Sequence, residues 1–576
     1  MSAVTLCVPE EPFFVELLHH WQKNPQAKAV RDSSQTPQET DISEFLYDVL
    51  TVRERIWETL DDDIRKNLES PDTDVFIALL TNEDYSFIVL LFALYGLGAA
   101  IAPVSPGILL EEASYIFKNC SAVLLASGSV LLSQAQAISE FTGVPLLEAD
   151  FSHPQRPTNL SFELDAKGPQ INPKKSFAVF QTSGTTGKPK GVLYSREAAV
   201  IGLRSQIESF GLSSTDVWLQ TSPLHWGAGF TLSIITIVSG ACMEFRGPGF
   251  GPRWLVDRLG AGGITFVYIP PFLLDEIADM LAGTRSTCSD LQSQAALRGI
   301  RELRVLCTGA MRVQSSTLSV WKGLRGGKPP MVVYAMSESI SLVATTDWKS
   351  DIIPPQGCCG RPSSHVEIKI SDAGEICIRS KSLFKKYISD NPNATKDVYD
   401  SEGFYRTGDT GRLEDGNIFV SGRASQDMIR FSMWHVPACK VEDALSSHPD
   451  VSQAIVLGIS SEREDQRVGA LLITKRESAQ NFTLAQLRRW LAVDNKMPAY
   501  MLPTVLRVLE PHQAHQIPVT VSGKPIKSKI RHDLFSQEAL SNGIVEMCDP
   551  LDDPEIVSRP FDWAGRQAQG VSVLGT

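Results

Sequence analysis

The sequence predicts an α/β protein, with a large N-terminal domain of helix-covered β-sheets and a small α+β C-terminal domain. Three observations predict it. The chain has 576 residues, too many for one ordinary domain and enough to bury a large core. From about residue 70, apolar β-rich runs alternate with longer helical patterns, as parallel sheets covered by helices require. Beyond Gly422 the texture changes to short elements, the mark of a smaller α+β unit.

Taken in order, residues 75–80 are a continuous apolar run and read as a buried strand. Residues 87–104 are free of charge and just reach membrane-spanning length, but Gly96, Gly98 and Pro103 interrupt them. They are therefore expected to form a core helix over 85–95, a turn and a strand over 99–103, with no transmembrane segment. A helix over 109–117 and strands over 122–126, 177–181 and 265–269 follow. The short elements 441–445, 454–457 and 484–491 belong to the smaller unit. The expected boundaries are 1–421 for the large domain, 422–540 for the small one and 541–576 for a weakly ordered, polar tail.

A hydrophobic share of 43% and a charged share of 21% are those of a globular protein. The net charge of −12, without a basic cluster, argues against nucleic acid as a partner. The ten cysteines are scattered, with no C-x-x-C spacing, so free thiols in a reducing compartment are expected and zinc is not signalled. Residues 1–14 lack the basic-then-apolar layout of a signal peptide, and the expected location is cytoplasmic.

The most informative segment is Thr182-Ser183-Gly184-Thr185-Thr186-Gly187-Lys188-Pro189-Lys190-Gly191. It follows an expected strand and precedes a helix that Ser195 can cap, which places it where sheet meets helix. Glycines let backbone N–H groups converge on an anion, hydroxyls add donors, and Lys188 and Lys190 add positive charge, so the loop suits a polyphosphate. It is not a Walker A loop, because two residues separate Gly184 from Gly187 and Pro189 follows the lysine.

Four further segments follow in order: Pro223-Leu224-His225-Trp226-Gly227, Cys307-Thr308-Gly309-Ala310, Tyr334-Ala335-Met336-Ser337-Glu338 and Tyr405-Arg406-Thr407-Gly408-Asp409. Gly422-Arg423 and Pro518-Val519-Thr520-Val521-Ser522-Gly523-Lys524 complete the series. With this ordering the chain resembles the acyl-adenylate-forming superfamily of acyl- and aryl-CoA synthetases, nonribosomal peptide synthetase adenylation domains and beetle luciferases, over roughly residues 20 to 535.

The resemblance implies ATP, Mg2+ and coenzyme A as cofactors or co-substrates and a small carboxylic acid as partner. It places the β- and γ-phosphates on the 182–191 loop and the adenine along Gly309 and Ala310, with Tyr334 packed on the base. His225, Trp226, Gly227, Ala335 and Met336 then line the acyl pocket, His225 also gates the thiol tunnel, Ser337 meets the α-phosphate, both His225 and Ser337 being counted with the catalytic residues, and Glu338 holds magnesium. Asp409 receives the ribose hydroxyls, Arg423 lies near the ribose, and Lys524 is the catalytic lysine. By the same resemblance, the small domain rotates between adenylation and thiol transfer at a hinge within Ala424-Ser425-Gln426-Asp427.

Departures are visible. Ala335 stands where the family has glycine and Ser337 where it has threonine; the first narrows the acyl pocket or its neighbour and the second keeps the hydroxyl. Arg430-Phe431-Ser432-Met433-Trp434-His435 replaces a glycine-containing loop that approaches the pantetheine. Side chains there occupy places where glycine allows close approach, but Met433 is unbranched and can swing aside, so the thiol acceptor is expected to be coenzyme A, with a phosphopantetheinyl carrier protein as the alternative. A degenerate nucleotide-binding protein is the reading from another class, opposed by Glu338, Asp409 and Lys524 standing together. Pro223 to Phe230 lacks the aspartate that holds an α-ammonium in amino-acid-activating relatives, which favours a fatty, aryl or polyketide-type acid.

Overall fold

The computed structural model describes residues 4–32, 38–149, 156–157, 159–166, 168, 170–182, 190–246, 250–282, 290–423, 428–431, 434–461, 465–475, 482–495, 497, 499–520 and 523–548. The chain divides into two compact units. One comprises Met1–Ile368, Ile378–Tyr405 and Asp415–Ile418; the other comprises Lys369–Cys377, Arg406–Glu414 and Phe419–Thr576.

The first unit contains two large sheets. The strands Phe76–Leu80, Ala100–Pro103, Ala122–Gly128 and Leu146–Ala149 run parallel in a seven-stranded sheet, and Ser176–Thr182 joins parallel beside Ala100–Pro103. Lys190–Ser195 and Lys386–Ile388 complete it in antiparallel register. The second sheet has nine strands, with Val217–Leu219, Cys242–Glu244, Phe266–Tyr268, Val305–Gly309 and Met331–Met336 parallel at its centre.

Two apolar helices fill the core. Every residue of Tyr85–Gly96 is buried, and Gly227–Val238 is buried from Gly229 onward. A helix apolar on all sides must lie inside a core or a membrane. Here it lies inside the core: Phe230 of the second helix packs edge-on against Phe87, Phe177 and Phe180 at 5.1–6.0 Å. No helix among the described residues is long and apolar enough to cross a membrane.

One local expectation is corrected. The 182–191 loop does not lead from a strand into a helix; it is framed by the antiparallel strands Ser176–Thr182 and Lys190–Ser195, with Thr182 opposite Lys190. The apolar run Gly191-Val192-Leu193-Tyr194 is buried throughout and forms a strand before Ser195 caps the helix Arg196–Phe210 by accepting from Ala198 N–H.

The second unit is built on the strands Trp434–Pro437, Met428–Phe431, Asp465–Thr474, Val505–Leu509 and Glu546–Met547, with Val451–Ser461 also paired to Asp465–Thr474. Alternation along these strands separates two cores. Val456, Val468, Ala470 and Leu472 enter one cluster, and Ile455, Leu457, Leu471 and Ile473 enter the other. Ordered pairing continues past residue 541, because Glu546–Met547 pairs with Val505–Leu506 and Val545 is buried. A four-stranded sheet orders Glu367–Ile370, Glu375–Arg379, Tyr405–Glu414 and Asn417–Arg423, and the division of the chain passes within these strands.

Candidate active site

In the first unit the residues singled out gather at strand ends. Ser176–Thr182 is anchored at its start by Asp74, whose carboxylate accepts from Ser176 N–H at 2.7 Å and Ser176 Oγ at 2.5 Å. Burial alone would raise this carboxyl, but those hydrogen bonds and the Lys385 ammonium at 3.4 Å outweigh it and hold it below the usual carboxylate range. At its far end Thr182 Oγ1 donates to the Lys190 carbonyl at 3.3 Å, pinning the two ends of the loop. Ser183, Gly184, Thr185, Thr186, Gly187 and Lys188 lie outside the described residues.

The central motif is a hairpin. Tyr334 pairs with Ala344 and Met336 with Ser339, with an irregularity between Tyr334 and Met336 that exposes Ala335. Ser337 and Glu338 form the turn; Ser337 is exposed and Glu338 half-buried. The Tyr194 hydroxyl donates to the Ser337 carbonyl, tying the strand that leaves the loop to this turn. Tyr387 Oη donates to Glu338 Oε1 at 2.7 Å, and Lys190 Nζ lies 5.5 Å from the centre of the Tyr387 ring. Burial, then the neighbouring Glu338 carboxylate, pushes the Tyr387 hydroxyl far above the ordinary phenol range, so it stays a donor.

The turn at Gly309 and Ala310 follows the adjacent strand, where Gly309 pairs with Val333. Ala310, just after it, holds a left-handed φ of 63°, which non-glycine residues rarely adopt and which clusters at functional sites. Tyr268 Oη donates to the Gly309 carbonyl at 3.1 Å.

His225 and Trp226 precede the buried helix Gly227–Val238, their rings 5.9 Å apart. Gly229 is required there, since a Cβ would stand 2.2 Å from the Pro223 carbonyl oxygen. Burial, and then the Arg246 charge, lower the His225 imidazole to about 4, so it is neutral at neutral pH. Arg246 pairs with Glu83, and Gln220 Nε2 donates to the same Glu83 oxygen at 3.2 Å. This polar group beside His225 escaped sequence reasoning, because Glu83, Gln220 and Arg246 come from the ends of different strands and share no local pattern.

In the second unit, Asp409 is buried and its N–H donates to Thr407 Oγ1 at 3.0 Å, while Thr407 Oγ1 itself donates to the Ile376 carbonyl at 2.7 Å. The side chain of Arg423 lies outside the described residues. Lys524 is exposed at the end of a tight loop in which its N–H donates to Thr520 Oγ1 at 3.1 Å and its carbonyl accepts from Thr520 N–H at 2.8 Å. Gly523, with φ of 77°, turns the chain there. The segment Ala424-Ser425-Gln426-Asp427, where a hinge is expected, lies outside the described residues, as do Ser432 and Met433.

The donor set at 337–338 fits a magnesium nucleotide. Magnesium is usually held by one or two carboxylates together with phosphates and water, and Glu338 offers a carboxylate beside the Ser337 hydroxyl. Lys190, at the end of the framed loop, places a cation on the same unit.

Comparison with known proteins gives a consistent result. Residues 66–388 match the family described as AMP-binding enzyme, and residues 440–524 match the AMP-binding enzyme C-terminal domain. An acyl-CoA ligase of Aspergillus oryzae is 28% identical over 536 residues, covering 92% of this chain and 93% of the relative. A malonate–CoA ligase of Arabidopsis thaliana is 28% identical over 387 residues, 62% of this chain and 61% of the relative. The ATP-bound MatB of Rhodopseudomonas palustris shares the fold, with a TM-score of 0.72 at 16% identity over 91% of this chain and 99% of that one.

Proposed function

Because the chain belongs to the AMP-binding enzyme family and is an AMP-forming ligase of the acyl-CoA synthetase type, we propose that it activates a small carboxylic acid as its acyl-AMP and transfers the acyl group to coenzyme A. The observation that carries this reading is the Tyr194–Ser337 hydrogen bond. It sets the strand leaving the polyphosphate loop beside a turn bearing one hydroxyl and one carboxylate, the donor set an ATP phosphate chain needs. The relatives named as acyl-CoA and malonate–CoA ligases support the choice of coenzyme A.

Carboxylates resist attack because the leaving group would be oxide. In the first half-reaction a substrate carboxylate oxygen attacks the α-phosphorus, the bond to the β-phosphate oxygen breaks, and pyrophosphate departs. Lys190 and the loop hold the β- and γ-phosphates, Ser337 donates to the α-phosphate, and Tyr334 with Gly309 and Ala310 takes the base. Asp409 accepts from the ribose hydroxyls, with Arg423 near them. Lys524 brings an ammonium between the attacking carboxylate and the α-phosphate, offsetting their repulsion. Glu338 would hold magnesium, which would supply charge neutralisation for the phosphates. In the second half-reaction the thiol sulfur attacks the acyl carbon, AMP leaves, and the thiol proton passes to solvent. His225, Trp226, Gly227, Ala335 and Met336 line the acyl pocket, and neutral His225 adds no charge to it.

Single-turnover reactions with ATP, a panel of fatty, aryl and dicarboxylic acids, and either coenzyme A or a holo-carrier protein test the reading. Acyl-CoA is the expected product. Acyl-AMP that accumulates with coenzyme A but discharges onto a carrier would contradict it.

A further inference from the structure

Tyr387 sits between two opposite charges. Its hydroxyl donates to Glu338 Oε1 at 2.7 Å, and its ring face carries the Lys190 ammonium at 5.5 Å, within cation–π range. The strand Lys386–Ile388 fixes this position by pairing Tyr387 with Val192, two residues beyond Lys190. The ring is held by Phe384, whose centroid lies 4.5 Å away.

The hydroxyl network has a defined direction. Tyr387 has one hydroxyl hydrogen, and Glu338 takes it, so the 3.2 Å contact with Tyr405 is a bond donated by Tyr405 to the Tyr387 oxygen. The chain Tyr405 to Tyr387 to Glu338 polarises each successive donor toward the carboxylate. It restrains a half-exposed glutamate that would otherwise sample several rotamers.

We propose that Tyr387 is a positioning residue for the metal–nucleotide: one side chain orients the Glu338 carboxylate through its hydroxyl and the Lys190 ammonium through its ring. The inference rests on the proposed reading of Glu338 as the metal carboxylate. Carboxylates that bind metals are oriented by hydrogen-bonding neighbours, and removing such a neighbour typically costs about 10–100-fold in metal affinity.

Tyr387→Phe keeps the ring and removes the hydroxyl. Binding of Mn2+ in the presence of a non-hydrolysable ATP analogue, followed by electron paramagnetic resonance, should weaken about tenfold, with the affinity for the free acid unchanged. Tyr405→Phe should weaken it less, and Tyr387→Leu should also raise the KM for ATP at saturating metal, because the ring under Lys190 is gone. Thermal midpoints of all variants separate misfolding from misplacement. If Glu338→Gln weakens Mn2+ binding and Tyr387→Phe does not, the positioning role is overturned while the metal reading stands. If Glu338→Gln also leaves Mn2+ binding unchanged, the metal reading fails and this inference falls with it. A lowered midpoint for Tyr387→Phe with unchanged Mn2+ affinity would make the tyrosine structural and overturn the proposal.

Discussion

A Cβ placed on Gly309 would stand 2.3 Å from the carbonyl oxygen of Val333, on the neighbouring parallel strand. The obstructing atom is backbone within a sheet and cannot swing aside, so two strand ends approach each other closely where the proposed adenine turn begins.

Gly309→Ala should therefore cost about 2 kcal/mol or more by forcing the strands apart, and should weaken nucleotide binding more than acid binding. Ala310→Gly should behave oppositely. With φ of 63° the alanine is strained, and glycine should leave stability equal or higher by up to about 1 kcal/mol. Denaturation midpoints and nucleotide titrations check both. A clear loss of stability in Ala310→Gly would show that the strain account is wrong.

Tyr194→Phe removes the one hydroxyl that ties the Ser337 carbonyl to the strand leaving the loop. Tyr194 is almost wholly buried, so the ring should remain in place and the cost in stability should be about 1 kcal/mol. The KM for ATP should rise severalfold and the KM for the acid should change little. An equal rise in both would mean that the bond supports the fold generally and does not place the turn.

The pH dependence of stability carries a signature of His225. Its folded-state pKa of about 4 lies below the ordinary 6.5, so the fold favours the neutral ring. That contribution is complete above pH 6.5 and is lost as the pH falls towards about 4, because the unfolded chain takes up a proton that the folded chain refuses. His225→Gln should flatten the fall in stability across that window by up to about 3 kcal/mol. Parallel curves for the two proteins would place the imidazole in water.

Much of this was legible in the sequence because the chemistry is local there. The charge-free run around Phe87 to Leu94 announced a buried helix, and Gly96, Gly98 and Pro103 separated it from a membrane span. Ser337 and Glu338 stand side by side, so a hydroxyl and a carboxylate could be read together. Tyr387 was not legible: an isolated tyrosine between Lys386 and Ile388 acquires its contacts only when cross-strand register sets it against Val192. The same holds for Glu83 and Arg246, which meet beside His225 only after two separate sheets have formed. The strand Lys190–Ser195 was hidden for another reason, since the glycine and lysine of the loop run directly into it and mask its apolar period.

The most direct test of the account separates the two half-reactions at Lys524. Acid-dependent exchange of labelled pyrophosphate into ATP reports the first, and release of AMP from supplied acyl-AMP with coenzyme A reports the second. In Lys524→Ala the account predicts that exchange falls by several orders of magnitude while thiolysis of supplied acyl-AMP is largely retained, because the ammonium stabilises charge only as the carboxylate meets the α-phosphate. Exchange at the wild-type rate in Lys524→Ala, or equal loss of both half-reactions with an unchanged thermal midpoint, would contradict it.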